Sequence, residues 1–344
     1  MELHELDVVL TRGNAVESHH RVHAAVVDAC DRLLSGARNP DFHTWWRSCA
    51  KPFQAIPLLE SGGFDSIAWG DQELCLACAS HAGEPEHLAV VDAMLSGLGL
   101  EEGDLACGPL EPLSARGVRK LRESGGRVTR THNNCSGKHA AMLALAKFHD
   151  WPIGGYERPE HPVQQAMLNQ VALWAGVTPS HIGVAVDGCG AAVFGLSLEQ
   201  MARAYARLGT AASRGEEIPS RVIRAMSSNP FLLGGTDRFD SVMVEETSGR
   251  VITKIGADGV HSAVVLDAGI GVAIKVEDGN PRAQLPAMVQ LLMDLDALPH
   301  PLPSRIAEYL SKPIRNTRGE VVGEMKILET SKRRARPGAE VAAN

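Results

Sequence analysis

The sequence predicts one α/β unit with helices massed against a sheet. Three observations carry this. Hydrophobic residues make up 44% of the 344 residues, ample for a large core. The middle of the chain repeats apolar residues at helical spacings of three and four. The last third turns to short β-rich runs separated by turn residues, which read as an antiparallel meander. No internal repeat, low-complexity block or linker divides the chain. Residues 1–330 are therefore expected to form a single domain, and 331–344, basic and then rich in Pro, Gly and Ala, a frayed tail.

The elements follow in order. Residues 6–11 and 21–28 have the β-branched and apolar content of strands. Residues 42–47 are an aromatic-rich run ending at Ser48, and 53–60 suit a helix. Residues 74–79 are apolar throughout and read as a buried strand ending in Ser80-His81, with Cys75 and Cys78 as core on opposite faces. Leu88, Val91, Leu95 and Leu98 mark a helix over 85–100, started by Pro85. Residues 138–149 form an alanine- and leucine-rich helix. Val163, Met167, Val171 and Trp174 mark another, closed by Gly176. Residues 181–187 read as a buried strand ending in Gly188-Cys189-Gly190, and Leu198, Met201, Tyr205 and Leu208 as a further helix. The meander covers 250–256, 262–266 and 270–276, and helices follow at 285–298 and 304–310.

Composition excludes several functions. The net charge of −7 offers no phosphate-binding surface for nucleic acid. Aromatic residues, at 4%, are too sparse for base-stacking platforms. No apolar run is long enough for a membrane span, and the acidic first residues do not read as a secretory signal. Seven cysteines in such a chain are expected as reduced thiols in the cytoplasm.

Four stretches carry chemistry. Ser48-Cys49-Ala50-Lys51 reads S-x-x-K, which places a hydroxyl and an amine one helical turn apart. A serine needs a neighbour to take its proton, and a lysine does so only when desolvation or a second cation holds it neutral. The same pattern also describes a serine near a helix start and a solvated lysine. Pro52 further restricts Lys51 to a first helical turn. Residues 131–139, THNNCSGKH, concentrate donors just before an apolar helix. Cys135 and Lys138 are spaced to share a face, and a helix N-terminus lowers a thiol pKa. Asp187-Gly188-Cys189-Gly190 ends the strand over 181–187. Two thiolates there could hold zinc, completed by His132, His139, Lys138 or water; alternatively Cys135 is a nucleophile with His132 or His139 as base. Lys254, central in a β-rich run, must face water, a partner or a site.

These pieces, in this order, resemble the asparaginase II family, the Rhizobium-type L-asparaginases: Ser48-x-x-Lys51, Cys-Ala-Ser80-His, His132-Asn-Asn-Cys135-Ser-Gly-Lys138-His139, Asp187-Gly-Cys189-Gly and Thr253-Lys254-Ile-Gly256. The resemblance spans about 6–310. It implies an antiparallel sheet with helices on both sides, similar to serine β-lactamases and glutaminases, and hydrolysis of the L-asparagine side-chain amide to aspartate and ammonia. It implies two Ser-Lys pairs, Ser48 with Lys51 and Ser80 with Lys254, a zinc site at Cys135, Lys138 and Cys189 completed by water, and a homodimer. Arg47 and His139 are candidates for the substrate carboxylate, and Asp187 for its amino group or for holding a ligand. Pro52 after the motif lysine, and the order Thr253-Lys254, depart from β-lactamase patterns and leave β-lactam chemistry unsupported. A glutaminase, another serine amidase or peptidase, and a non-catalytic zinc or amino-acid binding protein are the rival readings.

Overall fold

A computed structural model describes residues 2–328. The expected tail at 331–344 lies outside the described residues. The central sheet has six strands in the order Glu2–Leu3, Leu33–Ala37, Val22–Val27, Ile270–Val276, Val260–Val265 and Val251–Ile255. The first pair is parallel and all others are antiparallel. The expected meander is its C-terminal half.

Period-two alternation feeds two cores. Along Val22–Val27, Ala25 and Val27 join one apolar cluster, and Val22, Ala24 and Val26 join the other. The first lies under the helices Lys51–Glu60, Asp71–Cys78, Ser136–Phe148, Pro162–Ala175 and Leu198–Ser213. The second lies under Pro281–Asp294 and Ser304–Leu310. The fold is thus α+β, an antiparallel sheet flanked by helices on both faces. Leu198–Ser213 crosses the middle of the sheet, and Gly271 permits its close approach: a Cβ there would strike the Ala202 carbonyl.

Two smaller sheets complete the architecture. One orders Lys312–Arg315, Val321–Ile327, Val8–Arg12 and Ala15–His20; the other orders His43–Trp45, Ala192–Ser197 and Gly183–Val186.

Two expectations are corrected. Residues 74–78 are not a strand but most of the helix Asp71–Cys78, and only Ala79 is extended. It is packed by helices on several sides, so no polar stripe reveals its period. Cys75 and Cys78 are fully buried, as expected of core, but one turn apart rather than on opposite faces. The stretch 181–187 contains a strand, Gly183–Val186, but it is the outer strand of the small sheet, with Val184 40% and Val186 64% exposed.

Candidate active site

Arg47–Ala50 forms a single 3-10 turn, and Lys51 opens the helix that follows. Pro52 at the second position keeps Lys51 in the first turn, where proline costs no hydrogen bond. The Lys51 backbone N–H bonds to the Ser48 carbonyl, stacking the two residues one turn apart. The Lys51 side chain then leaves Ser48. Its Nζ lies 3.1 Å from Ser80 Oγ and also reaches the carbonyls of Ala79 and Asn134. The expected pairing of Ser48 with Lys51 is therefore not a hydrogen bond. The half-buried Ser48 hydroxyl has no bonding partner among the described residues.

Ser80 sits just past the Asp71–Cys78 helix, whose chain turns extended at Ala79. Its Oγ is also 2.8 Å from Lys254 Nζ. Lys254 pairs in register with Ser262 on the outermost strand of the large sheet. An outer strand ordinarily leaves a lysine in water. Here the helix Phe239–Glu246 and the 3-10 turn at Arg47–Ala50 cover it, and Lys254 is wholly buried. Burial pushes Lys254 down to about 8; Asp240 opposes this, 3.5 Å from its amine, and Lys51 adds to it.

The thiols lie nearby. Cys135 precedes the helix Ser136–Phe148, and Lys138 in its first turn places Nζ 3.2 Å from Cys189 Sγ. Cys135 Sγ donates to Asn134 Oδ1 at 3.3 Å. The neighbouring Cys135 thiol holds Cys189 down at about 5, against burial, with help from the Lys138 ammonium; the Cys189 sulfur and burial push Cys135 up to about 12. Lys138 is raised despite burial, because the Cys189 thiolate and the Asp187 carboxylate lie close to it. The cluster therefore holds one thiolate, Cys189, and Cys135 stays a thiol, which weighs against Cys135 as nucleophile.

Arg47 and Asp187 stand at the half-buried rim. Arg47 Nε donates to Asp187 Oδ1 at 2.7 Å, and its Nη1 donates to Asp258. Burial raises the Asp187 carboxyl, but Lys138 and Arg47 hold it below the usual range. His139 is wholly buried and points away: its Nδ1 is 2.7 Å from Tyr156 Oη, which itself accepts from the Ala106 N–H at 2.8 Å. Burial and the Lys138 charge push His139 down to about 3, so it is neutral; the tyrosine proton goes to Nδ1 and leaves an unpartnered N–H at Nε2.

A family profile for L-asparaginase II matches residues 8–327. The chain belongs to the L-asparaginase II family. No curated protein matches it. Among solved structures, this family member is similar to Mglu in its native form, at 14% identity and a TM-score of 0.45, with 80% of this chain and 64% of that chain covered. The chain thus spans under two thirds of Mglu. It is also similar to a β-lactamase from Mycobacterium bovis, at 12% identity and a TM-score of 0.43, covering 81% and 96% of the two chains. A Bacillus glutaminase matches at 12% identity and a TM-score of 0.37, covering 81% and 92%.

In this asparaginase II member, four site neighbours escaped the sequence. Asp240 and His261 back Lys254. Asp258 holds Arg47. Glu84, wholly buried, takes the Thr236 N–H and hydroxyl, both at 2.8 Å, and Arg116. Asp240 and Glu84 stand at or beside helix starts, where an acid reads as an ordinary cap. The link from the 80–84 stretch to the NNCSGKH loop was equally hidden: His81 Nε2 lies 2.9 Å from Ser136 Oγ, which donates to the Thr131 carbonyl.

Among the described residues no three His, Cys, Asp or Glu side chains converge as a metal site. The donor set is instead two thiols and one amine. Its chemistry fits a borderline-soft cation: Cys189 is already a thiolate, and Cys135 and Lys138 would each release a proton on binding.

Proposed function

We infer that this chain is an amidohydrolase that cleaves the side-chain amide of L-asparagine to aspartate and ammonia. The observation that carries the reading is Ser80 Oγ lying within hydrogen-bond distance of both Lys51 and Lys254, inside a chain of this family. Two amines on one oxygen repel, so one gives up its proton and becomes a base.

Roles follow from exposure. Ser48 is half-buried with a free hydroxyl and can meet substrate; Ser80 is 4% exposed and held from two sides. Ser48 Oγ attacks the amide carbon and its proton is taken up by the cluster of Lys51, Ser80 and Lys254. The Ala79 and Asn134 carbonyls accept from the Lys51 amine and hold it against Ser80 Oγ. Backbone N–H groups at Ser48 and Ser80 are the candidates to hold the oxyanion. Ser80, between the amines, carries a proton from Lys254 to the departing nitrogen, so the C–N bond breaks as ammonia forms. Water then attacks the acyl ester, returns its proton through the same groups and frees Ser48. The Arg47–Asp187 ion pair offers both charges to the α-carboxylate and α-amino groups of a substrate.

Zinc belongs to this reading at Cys135, Lys138 and Cys189. Bound there, it would supply a Lewis acid or an anchor for the substrate's polar groups. Cys189→Ser is expected to lose metal that the wild type retains through gel filtration. A homodimer and a cytoplasmic setting are part of the same proposal; sedimentation tests the first.

The deciding experiment is ammonia release from L-asparagine and L-glutamine side by side. One methylene is worth only about 1–3 kcal/mol in a pocket. Faster turnover of asparagine supports the reading, and preference for glutamine replaces it with a glutaminase. No release from either amide removes it.

A further inference from the structure

Asp240 lies in the first turn of the helix Phe239–Glu246, and its side chain is 2% exposed. A lone carboxylate at such depth is costly unless its oxygens are satisfied. Here they are. Oδ1 accepts from Thr253 Oγ1 at 2.7 Å and His261 Nε2 at 3.3 Å; Oδ2 accepts from the Ile255 N–H at 3.0 Å and lies 3.5 Å from Lys254 Nζ. The carboxylate therefore grips the strand on both sides of Lys254 and the lysine between them. Ile255 belongs to the outermost strand of the sheet, and its N–H goes to Asp240. His261, wholly buried, faces Ile255 in register on the next strand and has the edge of Phe239 against it; its Nδ1 has no partner.

The two site lysines thus differ. The Lys51 amine touches only uncharged acceptors, whereas Lys254 has a carboxylate behind it. We propose that Asp240, steadied by Thr253 and His261, is a positioning residue that aims Lys254 at Ser80 and keeps it an ammonium. This role rests on the amidohydrolase reading above. The titratable groups around the Lys254–Asp240 pair are Lys51 on the Lys51–Glu60 helix, Cys49 in the 3-10 turn, Cys75 and Cys78 on the Asp71–Cys78 helix, Cys135, Tyr205 on the Leu198–Ser213 helix and His261. Asp240 is the carboxylate among them.

The test is Asp240→Asn, read by the pH profile of asparagine turnover and by 15N NMR of the lysine amines, with the Lys254 signal assigned by its loss in Lys254→Met. Removing the negative charge weakens proton binding at Lys254. The alkaline limb of kcat is expected to move down by about 1–3 pH units, with the amine titration moving alongside it. KM is expected to hold. An unmoved limb together with an unmoved Lys254 titration overturns the proposal. If the wild type releases no ammonia, the amidase reading fails separately, and the NMR titration alone decides for or against Asp240. If Asp240→Asn does not fold, Asp240→Glu keeps the charge but shifts it. Its limb should stay in place while kcat falls at least about tenfold, and full wild-type kcat would refute the positioning role.

Discussion

The Lys51 amine lies 3.1 Å from the Ser80 hydroxyl, 29 residues away, rather than on the serine three residues before it. That contact makes Ser80 the hinge of the site. It joins a lysine from a helix start to a lysine from a sheet edge, and it separates the hydroxyl that stores a proton from the hydroxyl that is free to attack.

Lys51→Met and Lys254→Met should each lower kcat/KM for L-asparagine by about 10²–10⁴, the usual range for loss of a positioned acid or base. Ser48→Ala and Ser80→Ala should fall comparably, with intact-mass trapping of an acyl group in Ser80→Ala and none in Ser48→Ala. Near-native ammonia release by both serine variants would end the serine mechanism.

Lys254 also predicts how stability varies with pH. Its folded value, about 8, lies below that of a free lysine, because burial opposes the charge. Below about pH 8 both states carry the proton, and the folded state bears the cost of burying it. Between about 8 and about 10.4 the unfolded chain holds a proton that the folded chain has released, so stability rises with pH. Urea unfolding between pH 7 and 10 should show this rise, and Lys254→Met should flatten it.

In metal-free protein, ultraviolet difference absorbance should report one thiolate at neutral pH that is lost as pH falls through about 5, assigned to Cys189. Cys135→Ala removes the neighbouring thiol that stabilises it, and Lys138→Met removes its cation. Both should move the transition upward. A transition unchanged in both variants would separate the three side chains.

Gly137 lies where the Ser136–Phe148 helix meets Leu76, and a Cβ there would collide with the Leu76 carbonyl. Gly137→Ala should cost about 1–3 kcal/mol in denaturant unfolding, the range for overpacking. It should also lower turnover, since the helix it pushes away leads into Ser80. Full stability with full activity would show that the contact gives way freely.

Much of the local structure was legible. Pro52 indicated that Lys51 could be helical only in a first turn, and it is the first residue of its helix. The 250–276 meander, the Gly176 stop and the helix after Cys135 follow from propensity and period, which act over a few residues. The helix carrying Cys75 and Cys78 was misread because burial on several sides erases the pattern that tells helix from strand.

The sequence by itself determined which groups are present and their local setting: a hydroxyl and an amine one turn apart, a thiol and a second amine at a helix start, a lysine in a strand. Only the tertiary structure decided whom they meet. Ser80 and Lys254 are 174 residues apart, Lys138 and Cys189 are 51 apart, and Lys254 is buried because the preceding helix and the distant Arg47–Ala50 turn lie over an outer strand. Such contacts arise from how the layers pack, and packing imposes no short-range period on the chain that brings them together.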